Sequence, residues 1–294
     1  MLIGTAAAKL LATPGFTGRI LSTVSRAVYL WGAGEDLLWL APPGAPGHTR
    51  CLVGAMVPHA WRAGTGFACL NQTLVFLDGL RLDLTFARIW DPALLYRDRA
   101  VSLAALRGGI PRMIESCQPF FSTDGLGPAL PYPLGELRGG LEKTSLAALS
   151  GPVLAAVVKG CLAHDLAKVA EAGRELIGLG PGLTPAGDDF LGGLLFTLWH
   201  LKAVYSLSFA SERQAVAGLL DWAYTRTNRI SYTLLADMAC GLGPAPLHKL
   251  VGLLLAGRDT DEVSRAAREL AAIGHTSGGD LLAGAVTGML LTLA

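Results

Sequence analysis

The chain carries one glycine-rich motif twice, and this repetition restricts its fold more than any other feature. The first copy, G-L-T-P-A-G-D-D-F-L-G, runs from Gly182 to Gly192; the second, G-H-T-S-G-G-D-L-L-A-G, from Gly274 to Gly284. At an offset of 92, Gly182, Thr184, Gly187, Asp188 and Gly192 align with Gly274, Thr276, Gly279, Asp280 and Gly284, and Phe190 with Leu282. Each copy reads as a glycine-rich loop, a hydroxyl cap and a helix with an aspartate in its first turn. The echo extends upstream at an offset of 94, where Asp165 and Arg174-Glu175-Leu176 answer Asp259 and Arg268-Glu269-Leu270. The repeated unit is therefore a helix, a loop and a capped helix. Two copies are too few for a solenoid and predict a pseudo-twofold helical domain, with residues 210–240 between the copies.

The fold class expected is α+β: a small β-rich N-terminal barrel or sandwich, then a mostly α-helical domain with an internal helix-loop-helix duplication. Residues 1–95 hold short apolar or alternating runs separated by turn signals such as Pro42-Pro43-Gly44, with Asp78-Gly79 as a hairpin turn. Residues 96–138 read as a connecting helix, Asp98–Cys117, interrupted at Gly108-Gly109, and a Pro/Gly-rich crossover. Residues 139–294 are helical in period, with helices near 141–149, 151–162, 164–178, 185–205, 210–224, 228–240, 246–257, 260–272 and 277–293.

Composition narrows the function. Hydrophobic residues make up 51% and charged residues 16%, so much apolar surface must be buried in a core or against other subunits. A net charge of +1 without a Lys/Arg run argues against nucleic-acid binding. The most apolar stretches, 190–199 and 281–294, are too short to span a membrane. The N-terminus lacks a basic n-region, which argues against a signal peptide. The five cysteines, Cys51, Cys69, Cys117, Cys161 and Cys240, form no C-x-x-C pair and read as reduced core thiols of a cytoplasmic protein.

The doubled motif is the best candidate for chemistry. Thr184 as N-cap and Pro185 at N1 would start the first helix, with Gly182 opening the loop, so that free N–H groups and the helix dipole favour an anion. Thr276 or Ser277 would cap the second, with Asp280 at the capping-box position relative to Ser277. A third polar cluster, Thr225–Tyr232, supplies Arg226 and Arg229 to clamp an oxyanion, and Asn228 and Ser231 to orient an amide or carboxylate. His275 could move a proton. Asp189 and His275 each belong to one copy only at the offset of 92, and are the catalytic candidates. Asp188, Asp189 and Asp280 together could hold Mg²⁺. The competing structural reading is that hydroxyl caps and first-turn aspartates only stabilise helix ends, and that glycines four apart only pack helices. His164-Asp165 reads as a helix start, and His59 and Trp61 as structural.

G-L-G-P-G-L-T-P-A-G-D-D-F-L-G-G, T-N-R-I-S and G-H-T-S-G-G-D-L-L-A-G, in that order over residues 174–290, resemble the signature blocks of a bacterial family formerly of unknown function. That family includes the AllH-type subunit of oxamate carbamoyltransferase. The resemblance implies one subunit of a three-component enzyme that converts oxalurate and phosphate to oxamate and carbamoyl phosphate in anaerobic allantoin breakdown. It implies a small anionic substrate and two other protein subunits, and assigns no catalytic residue. A homo-oligomer is a further possibility. Two other readings compete: a stand-alone metal-dependent hydrolase of a small phosphorylated or N-glycosidic substrate, and a non-catalytic assembly or ligand-binding subunit.

Overall fold

Short apolar runs of the N-terminal part pair edge to edge because each has one face to bury. The computed structural model describes residues 1–55, 61–92, 100–131, 133–135 and 145–293. The chain divides into two compact units, Met1–Ala93 and Leu94–Ala294. In the first, the elements are β1 (Leu2–Gly4), α1 (Thr5–Leu11), β2 (Thr17–Val24), β3 (Ala27–Gly32), β4 (Leu37–Ala41), β5 (Cys51–Val53), β6 (Gly66–Leu70), β7 (Thr73–Phe76), β8 (Arg81–Asp83) and β9 (Arg88–Trp90). The strands form one sheet in the order β8-β7-β6-β2-β3-β4-β5-β1-β9. Of barrel and sandwich, it takes the barrel-like form, curling into a half-barrel. Pairing is antiparallel except at β4–β5 and β1–β9.

Alternation decides which side chains face inward. Ile20, Val28, Leu30, Leu38, Leu40, Phe67, Leu74 and Phe76 are buried. Trp61 stacks on Phe76 with ring centroids 4.5 Å apart, the structural role expected of it; His59 lies outside the described residues. Asp78-Gly79 forms the expected hairpin between β7 and β8, with Gly79 at φ +94°. β1 and α1 are an addition to the expected pattern, built from good helix formers directly after Gly4.

The second unit comprises α2 (Leu103–Cys117), α3 (Leu146–Leu162), α4 (Leu166–Gly173), α5 (Ala186–Tyr205), α6 (Glu212–Tyr224), α7 (Arg229–Ala239), α8 (Ala245–Leu255), α9 (Thr260–Ala271) and α10 (Ser277–Met289). Three boundaries differ from the sequence expectation. α2 starts at the Ser102 cap and runs unbroken through Gly108-Gly109; the expected start at Asp98 lies outside the described residues. Residues 146–149 and the helix expected at 151–162 are one helix, α3, capped by Ser145, because its buried face continues through Ala147, Leu154, Val157 and Cys161; the expected start at 141–144 lies outside the described residues. α4 ends at Gly173, short of residue 178, and the chain continues in turns. Asp165 and Asp259 are both N-caps, accepting from the backbone N–H of Lys168 and Glu262. Cys51, Cys69, Cys117 and Cys161 are buried, whereas Cys240 is exposed and is no core thiol. Burial pushes the Cys117 and Cys161 thiols up to about 12, so neither is a nucleophile near neutral pH.

α5 and α10 lie against each other along the centre of this unit, and both are buried over most of their length. Glycine makes the contact possible. A Cβ on Gly193 would stand 2.1 Å from the Leu281 carbonyl oxygen, and one on Gly284 would stand 1.8 Å from that of Phe190. Gly288 meets Leu194 and Thr197 further along, so the two helices run parallel and start at the same end.

These contacts are reciprocal, and they set the register of the duplication. Gly193 answers Gly284 and Phe190 answers Leu281, an offset of 91, as do the helix starts, Ala186 and Ser277. Gly187 and Gly278 also correspond: each lies under a leucine carbonyl, of Leu176 and Leu270, at 1.8 and 2.0 Å from a Cβ position. The sequence alignment at 92 is therefore one residue out within the helices. Asp189, not Asp188, is the counterpart of Asp280, and Phe190 pairs with Leu281, not Leu282.

Candidate functional site: a buried carboxyl pair between two helix starts

Counting from each first helical residue, Asp189 and Asp280 are both fourth. Parallel packing therefore brings one carboxyl from each copy to the junction of the two helix starts. Both are buried, at 4% and 0% exposure, and in each Oδ2 has no hydrogen-bond partner among the described residues. An unsatisfied buried carboxyl oxygen is costly, so its presence twice at symmetric positions needs a reason beyond folding.

The hydroxyls of the two copies meet at the same place. Thr184 Oγ1 and Ser277 Oγ are 2.8 Å apart and joined by a hydrogen bond. The expected caps differ in detail: Pro185 occupies the N-cap position of α5, and Thr276, at that of α10, makes no capping hydrogen bond with its side chain. The expected capping box is not formed, because Asp280 Oδ1 accepts instead from the backbone N–H of Leu126 at 2.9 Å. Burial raises the Asp189 pKa well above the ordinary carboxylate range. The Ser277 and Thr184 hydroxyls oppose this rise, and the Asp280 and Asp188 charges add to it. Burial also raises Asp280, to about 7, against the Leu126 N–H and the Thr276 hydroxyl, which both lower it.

Asp188 does different work. Its Oδ1 accepts from Gly178 N–H at 2.8 Å, and its Oδ2 accepts from the Thr227 and Ser231 hydroxyls, the latter at 2.6 Å. Asn228 caps α7 through Oδ1 and donates from Nδ2 to the Leu183 carbonyl at 2.8 Å. Asp188, Asn228 and Ser231 thus pin the first motif loop to the start of α7. Of the three aspartates read as a magnesium site, Asp188 is thus engaged by three donors. Among the described residues, no group of three or more His, Cys, Asp or Glu is placed to hold a metal. Asp188→Ala leaves those three donors without their acceptor, and should cost about 3 kcal/mol by the usual value of hydrogen bonds to a charged group. Urea unfolding of this variant checks that; loss of ligand binding at unchanged stability would contradict the anchoring role.

The remaining candidates are dispersed. Arg226 is exposed, with its guanidinium 4.2 Å from the centroid of the Trp222 ring, and Arg229 is exposed at the start of α7. Gly182, at φ +98°, is exposed in the loop. His275 is 85% exposed and lies 3.3 Å from Asp124 Oδ2. The loop that carries Asp124, part of the Pro/Gly-rich crossover, closes the second copy. Gly125 packs on Asp280, where a Cβ would stand 2.3 Å from Oδ1, and Ser122 packs on Gly279. Gly279 occupies the place of Asp188 in the second copy, and any side chain there would strike the Ser122 backbone.

An α+β chain, with a duplicated helix pair enclosing two carboxyls, is the class that fold and site define. Within it, residues 176–289 match the family model described as oxamate carbamoyltransferase subunit AllH. No solved structure matches the chain. Among the described residues, no helix is long and apolar enough to cross a membrane.

Proposed function

We propose that this chain is a subunit of an oxamate carbamoyltransferase that works with two partner subunits and binds small anions at the paired starts of α5 and α10. The observation that carries this reading is where the family match falls. It begins just before the first motif and ends with α10, so it coincides with the duplicated helix pair and the segment joining its halves.

The reaction transfers a carbamoyl group between oxamate nitrogen and phosphate. In the direction of oxalurate breakdown, a phosphate oxygen attacks the carbamoyl carbon. The bond from that carbon to the oxamate nitrogen breaks, and a proton passes to that nitrogen, giving oxamate and carbamoyl phosphate. The tasks for a protein are to hold two anions together and to stabilise the developing oxyanion. Two parallel helix starts direct the positive ends of their dipoles to one place. Two ionised aspartates would oppose it, but the raised pKa values keep at least one proton on the pair near neutral pH.

Co-expression with the partner subunits should yield a complex that phosphorolyses oxalurate, while the isolated chain shows little turnover. In the complex, Ser277→Ala is expected to lower kcat/KM by about tenfold to a hundredfold, the range below the loss of a full oxyanion donor. Full activity of the isolated chain on an unrelated substrate would overturn the proposal.

A further inference from the structure

Resting on the reading above, we infer that the Asp189–Asp280 pair recognises the primary amide end of the substrate, with one carboxyl from each copy taking part of a carbamoyl CONH₂ group. The two helix starts account for an anion, but not for acceptor oxygens buried between them. Asp189 Oδ2 and Asp280 Oδ2 are both enclosed and lack a hydrogen-bond partner among the described residues. Oxygens in that position call for a ligand that brings its own donors. A substrate carboxylate brings no donor, and phosphate brings only the O–H groups it retains near neutral pH, with no N–H. A carbamoyl or oxamate-type amide offers two N–H donors and one carbonyl acceptor on the same carbon.

The proton count of the site fits the same group. Burial raises both carboxyls, and the Asp280 charge raises Asp189 further, so the pair tends to retain a proton toward neutral pH. One member then donates its O–H to the amide carbonyl, and the other accepts an amide N–H. Thr184 and Ser277, both part-exposed and joined to each other at 2.8 Å, flank Asp189 on the side nearest solvent. Opening that contact exchanges one neutral hydroxyl hydrogen bond for bonds to the ligand, a small penalty. Arg226 lies over Trp222 and His275 beside Asp124, so the groups around Asp189 are hydroxyls and carboxyls. A site made of hydroxyls and carboxyls discriminates by donors and acceptors rather than by net charge.

Oxamate and pyruvate test this directly, because they share a carboxylate and a carbonyl and differ in NH₂ against CH₃. Titration calorimetry on the full chain should show oxamate binding at least about tenfold tighter than pyruvate, a modest fraction of what a site built to pair an N–H can reach. Asp280→Asn keeps the acceptor for Leu126 but turns Oδ2 into a donor, and should abolish that preference. Asp189→Asn, with a melting curve to establish folding, should do the same. Equal binding of oxamate and pyruvate to the unaltered chain would overturn the amide assignment and leave the anion reading standing. Binding of neither at millimolar concentration would overturn both. A preference for oxamate that survives in both folded variants would place the amide elsewhere and also overturn the assignment.

Discussion

Gly284→Ala is expected to destabilise the helical unit by about 3 kcal/mol, the upper end of what an added methyl does in a close-packed site. The new Cβ would stand 1.8 Å from the Phe190 carbonyl oxygen, less than any contact a real Cβ makes. The obstacle is backbone in the middle of a buried helix, so no side chain can swing away. α5 and α10 must separate, and the separation disturbs the junction of the two motifs at their common end. For a unit of this size, the loss corresponds to a fall in Tm of roughly 6–12 °C. Gly193→Ala meets the Leu281 carbonyl at 2.1 Å and should behave alike. The twofold relation makes a further statement: once one Cβ has pushed the helices apart, the second finds the space already opened. The double variant should therefore fall well short of the sum, as coupled neighbours do. Additive losses would show that the two glycines do not share one interface. Thermal unfolding of the four proteins of this cycle decides it.

The same glycines explain what the sequence does and does not disclose. The α+β division is legible because turn-punctuated short runs and long helical periods need different residues. The duplication is legible because Gly, Asp and a hydroxyl at fixed spacing repeat. Its register is not, because the letters align best at 92, through Gly182/Gly274 and Thr184/Thr276, which belong to the loops. The helices themselves begin 91 apart. The loops differ in length between copies, so a single offset cannot serve both loop and helix. That one-residue slip reversed the roles of neighbouring aspartates: Asp188, the apparent partner of Asp280, is the anchor with three donors, and Asp189 is the true counterpart. The contribution of Leu126 is a backbone N–H reaching Asp280 across 154 residues, and no side-chain pattern announces a backbone donor. The helix boundaries missed at Gly108-Gly109 and residue 150 follow from tertiary burial, which carried α2 and α3 through weak local signals.

Asp280→Asn is expected to raise stability, and the gain should grow with pH. Unfolded, this carboxyl loses its proton near 3.8; folded, it does so at about 7. Between those values the folded state holds more protons than the unfolded one, so each step up in pH weakens folding. The weakening is absent below 3.8 and complete above about 7, where it amounts to roughly 4 kcal/mol at 1.36 kcal/mol per unit. Asparagine keeps an acceptor for Leu126 N–H and has no charge to bury, so it escapes the loss. A buried histidine pair works in the opposite direction. Burial lowers His200 from 6.5 to about 4, and burial with the His200 charge lowers His248 to about 3. There the unfolded state binds the extra protons, so stability is full above 6.5 and declines as pH falls toward 4 and 3. The unaltered chain should therefore be most stable at mildly acidic pH, with carboxyls limiting it on one side and imidazoles on the other. In the variant the Asp280 contribution to the slope between about pH 4 and 7 disappears, so stability should rise more steeply from pH 4 toward 6.5, where only the histidines then oppose folding. Melting curves of both proteins between pH 4 and 8 measure the difference directly. A difference of the same size at every pH would mean that Asp280 is not titrating in its buried site. A gain of this kind at a symmetric pair is what a site shaped for a ligand, rather than for stability, would show.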